Sequence, residues 1–231
     1  MKNKPVKNNF AVIFDLDGVI VDSNPVHKIA LRRFCSQHGI ELTEEQLQTR
    51  IFGRTNKDWL RQVFGEKIGE AKIQQFAEEK EVLFRELFEP TIKPVKGLVG
   101  FLEKLKRNGI PLVIASSAPE KNIDFVLEKT GTRDYFSVIL SETAVTHSKP
   151  HPEIYIKATQ AIRLSPSRCI VIEDSLSGIA AARKAGCPVI GITTTHPPEE
   201  LQMTDLVIAD FDQLEIDHLE RLVRSQENEK A

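Results

Sequence analysis

The stretch "FAVIFDLDGVIVDS" (residues 10–23) runs apolar, β-branched residues directly into two carboxylates one residue apart, Asp15 and Asp17, with a third acid at Asp22. The segment "AVIFD" (11–15) reads as a short strand buried on both faces, as in a parallel sheet. Acids at the end of such a strand ask for a reason. In open α/β sheets, ligands sit in the crevice beyond the carboxyl ends of the strands. The period of two along extended backbone aims Asp15 and Asp17 toward the same side.

Working outward, five similar runs recur: "PLVIAS" (111–116), "SVIL" (137–140), "CIVIED" (169–174), "PVIGIT" (188–193) and "DLVIA" (205–209). Helical periods lie between them. Leu98, Phe101, Leu102 and Leu105 share a face that ends before Gly109, Ile123, Val126 and Leu127 share another that ends before Gly131, and "LSGIAAARKAG" closes at Gly186. Pro152 suits the first turn of a further helix. Strand and helix thus alternate from about residue 93 to residue 209, the pattern of right-handed βαβ units. The fold class expected is α/β, a doubly wound (Rossmann-like) parallel sheet.

Between Asp22 and Thr91 the alternation stops. Val26, Ile29, Ala30 and Phe34 align on one helical face, Trp59, Leu60, Val63 and Phe64 on another, and Phe76, Leu83 and Leu87 on a third. The interval is too long for a loop. It predicts a small helical domain, residues 23–92, inserted into a core made of 1–22 and 93–231, with re-entry through "PTIKPVKG".

Composition bounds the function. The 231 residues are 41% hydrophobic and 28% charged, with a formal net charge of −2 and both signs mixed along the chain. That implies a soluble core of ordinary size and no broad basic surface for nucleic acid. The basic start lacks the apolar region of a secretory signal, and no apolar run approaches the roughly 18–20 residues of a membrane span. Cys35, Cys169 and Cys187 are odd in number and far apart, as for reduced thiols. A cytoplasmic protein, monomeric or weakly dimeric, is expected.

A second pair of acids, Glu173 and Asp174, ends "CIVIED". If the two strands are neighbours, four carboxylates share one crevice. Two like charges 4 Å apart repel by roughly 4 kcal/mol at an effective dielectric of 20. A hard divalent ion with oxygen ligands, Mg2+ above all, offsets this. Ser116 at another strand end and Lys149 in "SKPHPEIY" are candidates for holding an anion. Taken singly, each has a plainer reading: a turn aspartate, a capping serine, a solvated lysine, or acids facing a helix N-terminus. Taken together, at successive strand ends, they suit phosphoryl transfer.

The motif "DLDGVIVDS" resembles the first signature of the haloacid dehalogenase superfamily, and Ser116, Lys149 and "IEDSLSGI" fall where its second, third and fourth motifs stand. The resemblance covers essentially the whole chain and is greatest to the β-phosphoglucomutase-like phosphatases and mutases. It implies Asp15 as nucleophile and Asp17 as general acid and base. It implies Ser116 and Lys149 on the phosphoryl group, and Mg2+ held by Asp15, Asp174 and the Asp17 carbonyl, with Glu173 joining directly or through water. An acid at Asp17 separates phosphoryl transfer from dehalogenation.

The inserted domain is expected to set specificity. His27 and Lys80 match a histidine and a lysine associated with the cap of β-phosphoglucomutase. For Lys80, within "EEKE", a solvated ion pair is the plainer account. Where those mutases usually carry a phosphate-gripping arginine, this chain has Asn56, with Arg54 two residues away. An amide does not replace a guanidinium fork. The reading is therefore a phosphatase of a small phosphorylated metabolite such as a sugar phosphate, with a phosphohexose mutase as the alternative and a non-catalytic sugar-phosphate binding module as a third.

Overall fold

Six short strands, β1 (Ala11–Phe14), β2 (Leu112–Ala115), β3 (Val138–Leu140), β4 (Cys169–Glu173), β5 (Val189–Ile192) and β6 (Leu206–Ile208), form one sheet in the order β3-β2-β1-β4-β5-β6. Every neighbouring pair is parallel. Each strand coincides with one of the six apolar runs. The structure, a computed structural model, describes residues 9–47 and 55–228. Its helices are α1 (Asn24–Gln37), a single turn α2 (Glu44–Gln46), α3 (Asn56–Phe64), α4 (Glu70–Phe88), α5 (Leu98–Arg107), α6 (Glu120–Lys129), α7 (Glu153–Ala161), α8 (Leu176–Ala185) and α9 (Ile216–Asn228). Among the described residues no helix is long and apolar enough to cross a membrane.

Two compact units divide the chain, one comprising Met1–Asp22 with Lys93–Ala231 and the other Ser23–Ile92. In the first, the sheet is buried on both faces, as its continuous apolar runs require. Ile13, Val113, Val171 and Val189 point to one side and pack with Ile154, Tyr155 and Ala158 of α7 and Ile179, Ala182 and Ala185 of α8. On the other side Phe14 lies among Phe101, Phe136 and Phe211, with ring centroids 5.7–6.4 Å away. The chain leaves this unit and returns to it at one place. Val21 and Pro94 form an antiparallel bridge, and the Val95 amide donates to the Ile20 carbonyl at 2.9 Å.

The second unit has its own apolar cluster, built on Leu31, Phe34, Cys35, Leu47, Trp59, Leu60, Ile73 and Phe76. Its helices lie where the periodicity predicts, but α1 turns a different face inward. Ala30, Leu31, Phe34 and Cys35 are buried, while Ile29 is 52% exposed. Packing of α1 on α4 selects the ridge centred on Leu31 and Phe34, and Ile29 falls outside it. Lys80 also departs from expectation. It is 5% exposed rather than solvated, and its ammonium donates to Glu81, itself buried, at 2.5 Å.

Candidate active site

Strand register builds the site before any side chain is considered. Phe14 pairs with Ile172 on one side and Ile114 on the other. One residue on, the Asp15 amide donates to the Ile172 carbonyl at 3.1 Å. Asp15, Glu173 and the end of β2 at Ala115 therefore stand at one level, with Asp174 and Ser116 one residue further. The strand order reverses here, with β2 and β3 built outward from β1 on one side and β4 to β6 on the other. That is the topological switch point, where open α/β sheets place their ligands.

After β1 the backbone turns tightly, with the Ile20 amide on the Leu16 carbonyl at 2.8 Å and the Gly18 amide on the Val21 carbonyl at 2.7 Å. Gly18 has φ +77°, and a Cβ there would lie 2.0 Å from Asp174 Oδ2. Only glycine satisfies both the left-handed backbone and the close carboxylate. At Gly178, in the first turn of α8, a Cβ would lie 1.7 Å from Glu173 Oε1. The chain has cleared space around both acids.

Asp15, Glu173 and Asp174 are all buried, and each offers an oxygen within 4.8 Å of the other two. Lys149, with 7% of its side chain exposed, donates to Asp15 Oδ1 at 2.7 Å, to Glu173 Oε1 at 2.6 Å and to the Ala115 carbonyl at 3.3 Å. Ser116 is buried, and its hydroxyl accepts from the Ala118 amide at 3.0 Å, a turn bond rather than a helix cap, since Pro119 stands at the N-cap of α6. Glu173 does fill its plainer role, facing a helix N-terminus. Its Oε2 accepts from the Asp174 and Ser175 amides and the Ser175 hydroxyl, all at 3.0–3.1 Å, where α8 begins.

The electrostatics follow from burial and crowding. Burial first, then Glu173 and Asp17, push Asp15 up to about 7 against the pull of Lys149. Burial and the charges of Glu173 and Asp15 raise Asp174 well above the usual range. Burial alone would raise Glu173 too, but Lys149, Tyr155 and Ser175 outweigh it and hold it low. Lys149 is held high by Asp15 and Glu173 despite its burial. One lysine faces several carboxylates whose charges act on one another. An all-oxygen donor set with uncompensated negative charge fits a hard divalent cation.

Two residues in the site escaped the sequence reading. The Tyr155 hydroxyl donates to Glu173 Oε1 at 2.7 Å, and the Thr195 hydroxyl donates to Asp174 Oδ2. Beside the latter, Thr194 donates to the Gly18 carbonyl at 2.6 Å. The hydroxyl run "TTTH" just past β5 was the available signal. Tyr155 carried none until α7 was seen packed against the sheet. Of the residues predicted in the inserted domain, Arg54 lies outside the described residues. His27 stacks on Phe84 with centroids 3.7 Å apart, and its Nδ1 is 3.5 Å from Lys80 Nζ. Asn56 donates to Glu81 Oε1 at 3.1 Å and accepts from the Trp59 indole at 2.9 Å.

Residues 12–192 match the profile of haloacid dehalogenase-like hydrolases. A phosphorylated carbohydrates phosphatase of Thermotoga maritima is 33% identical over 180 residues, 76% of this chain and 81% of that protein. The β-phosphoglucomutase of Bacillus subtilis is 29% identical over 218 residues, 90% of this chain and 93% of that one. Among solved structures, a HAD hydrolase of family IA, variant 3, from Entamoeba histolytica superposes with a TM-score of 0.86 at 30% identity, covering 93% of this chain and 99% of its own. A doubly wound parallel sheet with acids at its switch point defines the class, α/β proteins whose sites lie at the carboxyl ends of the strands. Within that class, this chain belongs to the haloacid dehalogenase-like hydrolase family.

Proposed function

We propose that the protein is a phosphoric monoester hydrolase, a Mg2+-dependent phosphatase of small phosphorylated metabolites such as sugar phosphates, acting through phosphorylated Asp15. The observation that carries this reading is the meeting of Asp15, Glu173 and Asp174 with Lys149 at the switch point of the sheet. The named activity of the Thermotoga maritima phosphatase supports it, while that of the Bacillus subtilis mutase keeps phosphohexose mutation as the alternative.

In this mechanism a carboxylate oxygen of Asp15 attacks phosphorus, and the bond from phosphorus to the ester oxygen breaks. Asp17 gives its proton to the leaving oxygen, then takes one from water as that water attacks phosphorus and frees Asp15. Lys149 fixes the Asp15 rotamer through Oδ1 and, with Ser116, holds the phosphoryl oxygens. Glu173 acts by orientation. Its Oε1 is taken by Lys149 and Tyr155 and its Oε2 by three donors at the start of α8, so it seats the lysine. Asp15, Asp174 and the Asp17 carbonyl are the residues that would hold Mg2+, which when bound supplies charge neutralisation for the anionic substrate.

Asn56 supports hydrolysis over phosphohexose mutation, because its amide is spent on Glu81 and Trp59 and brings no positive charge. His27 and Lys80 remain the proposed substrate contacts of the inserted domain. As part of the same reading the enzyme works in the cytoplasm as a monomer or weak dimer, and its three free, buried cysteines agree with a reducing compartment.

The test is phosphate release from p-nitrophenyl phosphate and a panel of sugar phosphates, with a parallel assay for isomerised hexose phosphate. Release should need Mg2+, stop with EDTA, and fall by about 10³-fold or more in Asp15→Asn. Turnover that survives Asp15→Asn, or isomerisation without net release, overturns the proposal.

A further inference from the structure

A second cluster of metal-binding side chains lies outside the acidic site. His147, His151 and Glu153 each offer a ligand atom within 4.8 Å of the others. They flank Lys149 in the turn "HSKPHPE", two residues before it, two after it, and at the first residue of α7. None of the three takes part in the chemistry proposed above. The ammonium of Lys149 is committed to Asp15 and Glu173, so its charge is directed away from them.

The cluster is ordered around the carboxylate of Glu153. Its Oε1 accepts from the Thr146 amide at 3.1 Å and pairs with Lys157 at 2.7 Å. Its Oε2 shares the Thr146 amide at 3.2 Å, accepts from the His147 amide at 3.0 Å and lies 3.2 Å from His147 Nδ1. His151 Nδ1 lies 3.3 Å from the Glu153 amide, and the two imidazole rings are 4.6 Å apart. These bonds hold Glu153 ionised, down at about 2, led by Lys157 and the Thr146 and His147 amides. The side chain of His147 is 64% exposed, which leaves room for water to complete a coordination shell.

Two imidazole nitrogens and one carboxylate oxygen form a borderline donor set. It selects ions such as Zn2+, Co2+, Ni2+ and Cu2+, whereas Mg2+ prefers oxygen alone. We propose that His147, His151 and Glu153 form a separate cation site, for a divalent transition ion of the Zn2+ class, that ties the turn carrying Lys149 to the start of α7. The ion takes the place of the direct contact between His147 Nδ1 and Glu153 Oε2. Lys157 and the amides on Glu153 serve as its outer partners. Closing residues 147 and 153 around one ion restricts the turn that seats Lys149 between Asp15 and Glu173.

The experiment is a calorimetric Zn2+ titration of the full chain with Mg2+ in excess, with thermal unfolding in parallel and Cu2+ as a spectroscopic probe. One Zn2+ should bind and raise the melting temperature. The Cu2+ electron paramagnetic resonance spectrum should show hyperfine splitting from two imidazole nitrogens. His147→Ala and His151→Ala should each weaken Zn2+ binding by at least about tenfold, a direct ligand being worth no less than an outer partner. Both should leave Mg2+-dependent turnover unchanged, and Asp174→Asn should leave Zn2+ binding unchanged. No Zn2+ uptake, uptake that survives both histidine variants, uptake lost in Asp174→Asn, or a Cu2+ spectrum without nitrogen overturns the proposal.

Discussion

Asp15 and Asp174 hold their places against their own electrostatics, and that has a measurable consequence. With Asp15 raised to about 7 from an ordinary 3.8, the folded chain keeps a proton that the unfolded chain has already lost. Between those values the native state binds more protons, so stability falls as pH rises from about 4 to about 7. A bound divalent cation reverses the penalty. In EDTA the melting temperature should therefore drop between pH 5 and pH 8, and the gap opened by adding Mg2+ should widen over the same range. A gap independent of pH would count against the cation site. Asp174→Asn removes one buried like charge, so it should melt higher than the parent in EDTA while Mg2+ no longer stabilises it and phosphate release is lost. At this scale Asp15, Glu173 and Asp174 were legible because each ends or follows an apolar strand, whereas Lys149 stands nine residues past the end of β3 and was singled out only by the motif around it. Tyr155 and Thr195 were not, since a hydroxyl on a helix or after a strand is informative only when its acceptor is known.

Helix α4 shows what periodicity cannot decide. Its apolar spacing predicts a helix, and Phe76, Phe84 and Phe88 are buried along it, but so are Lys80 and Glu81. The pair is shared with His27 and Asn56, residues from α1 and α3, which a pattern of local spacing does not bring together. Breaking a buried pair from one side strands a charge, whereas replacing both partners with apolar groups does not. Lys80→Met alone should cost ~3–5 kcal/mol in urea unfolding, and Lys80→Met with Glu81→Leu should recover most of it. A double-variant loss equal to the sum of the Lys80→Met and Glu81→Leu losses would mean that the pair contributes no coupling. The same tertiary choice explains Ile29, which helical spacing assigns to the buried face and packing on α4 leaves exposed.

On the scale of the whole chain, the units are separable by their connections. The exit at Val21 and the return at Pro94 are bridged, so the gap left by removing 23–92 is short. The core also has an apolar cluster of its own, with none of its residues drawn from the other unit. A variant with a short Gly-Ser linker in place of residues 23–92 should unfold cooperatively and still bind Mg2+ by calorimetry. An unfolded or Mg2+-blind product would show that the core depends on the inserted helices.

The sequence by itself determined the strands, their parallel alternation with helices, the long helical interruption and the acids at strand ends. These are encoded locally, in residue type and spacing along the chain, and the strand-end acids are costly enough to demand a purpose. Only the tertiary structure decided that β1 and β4 are neighbours in a register that sets Asp15 beside Glu173. It also turned Glu173 toward Lys149 and Tyr155, and drew His147, His151 and Glu153 around one point. Those outcomes depend on which elements touch and on the direction each side chain takes across the contact, and both are fixed by packing distant parts of the chain together.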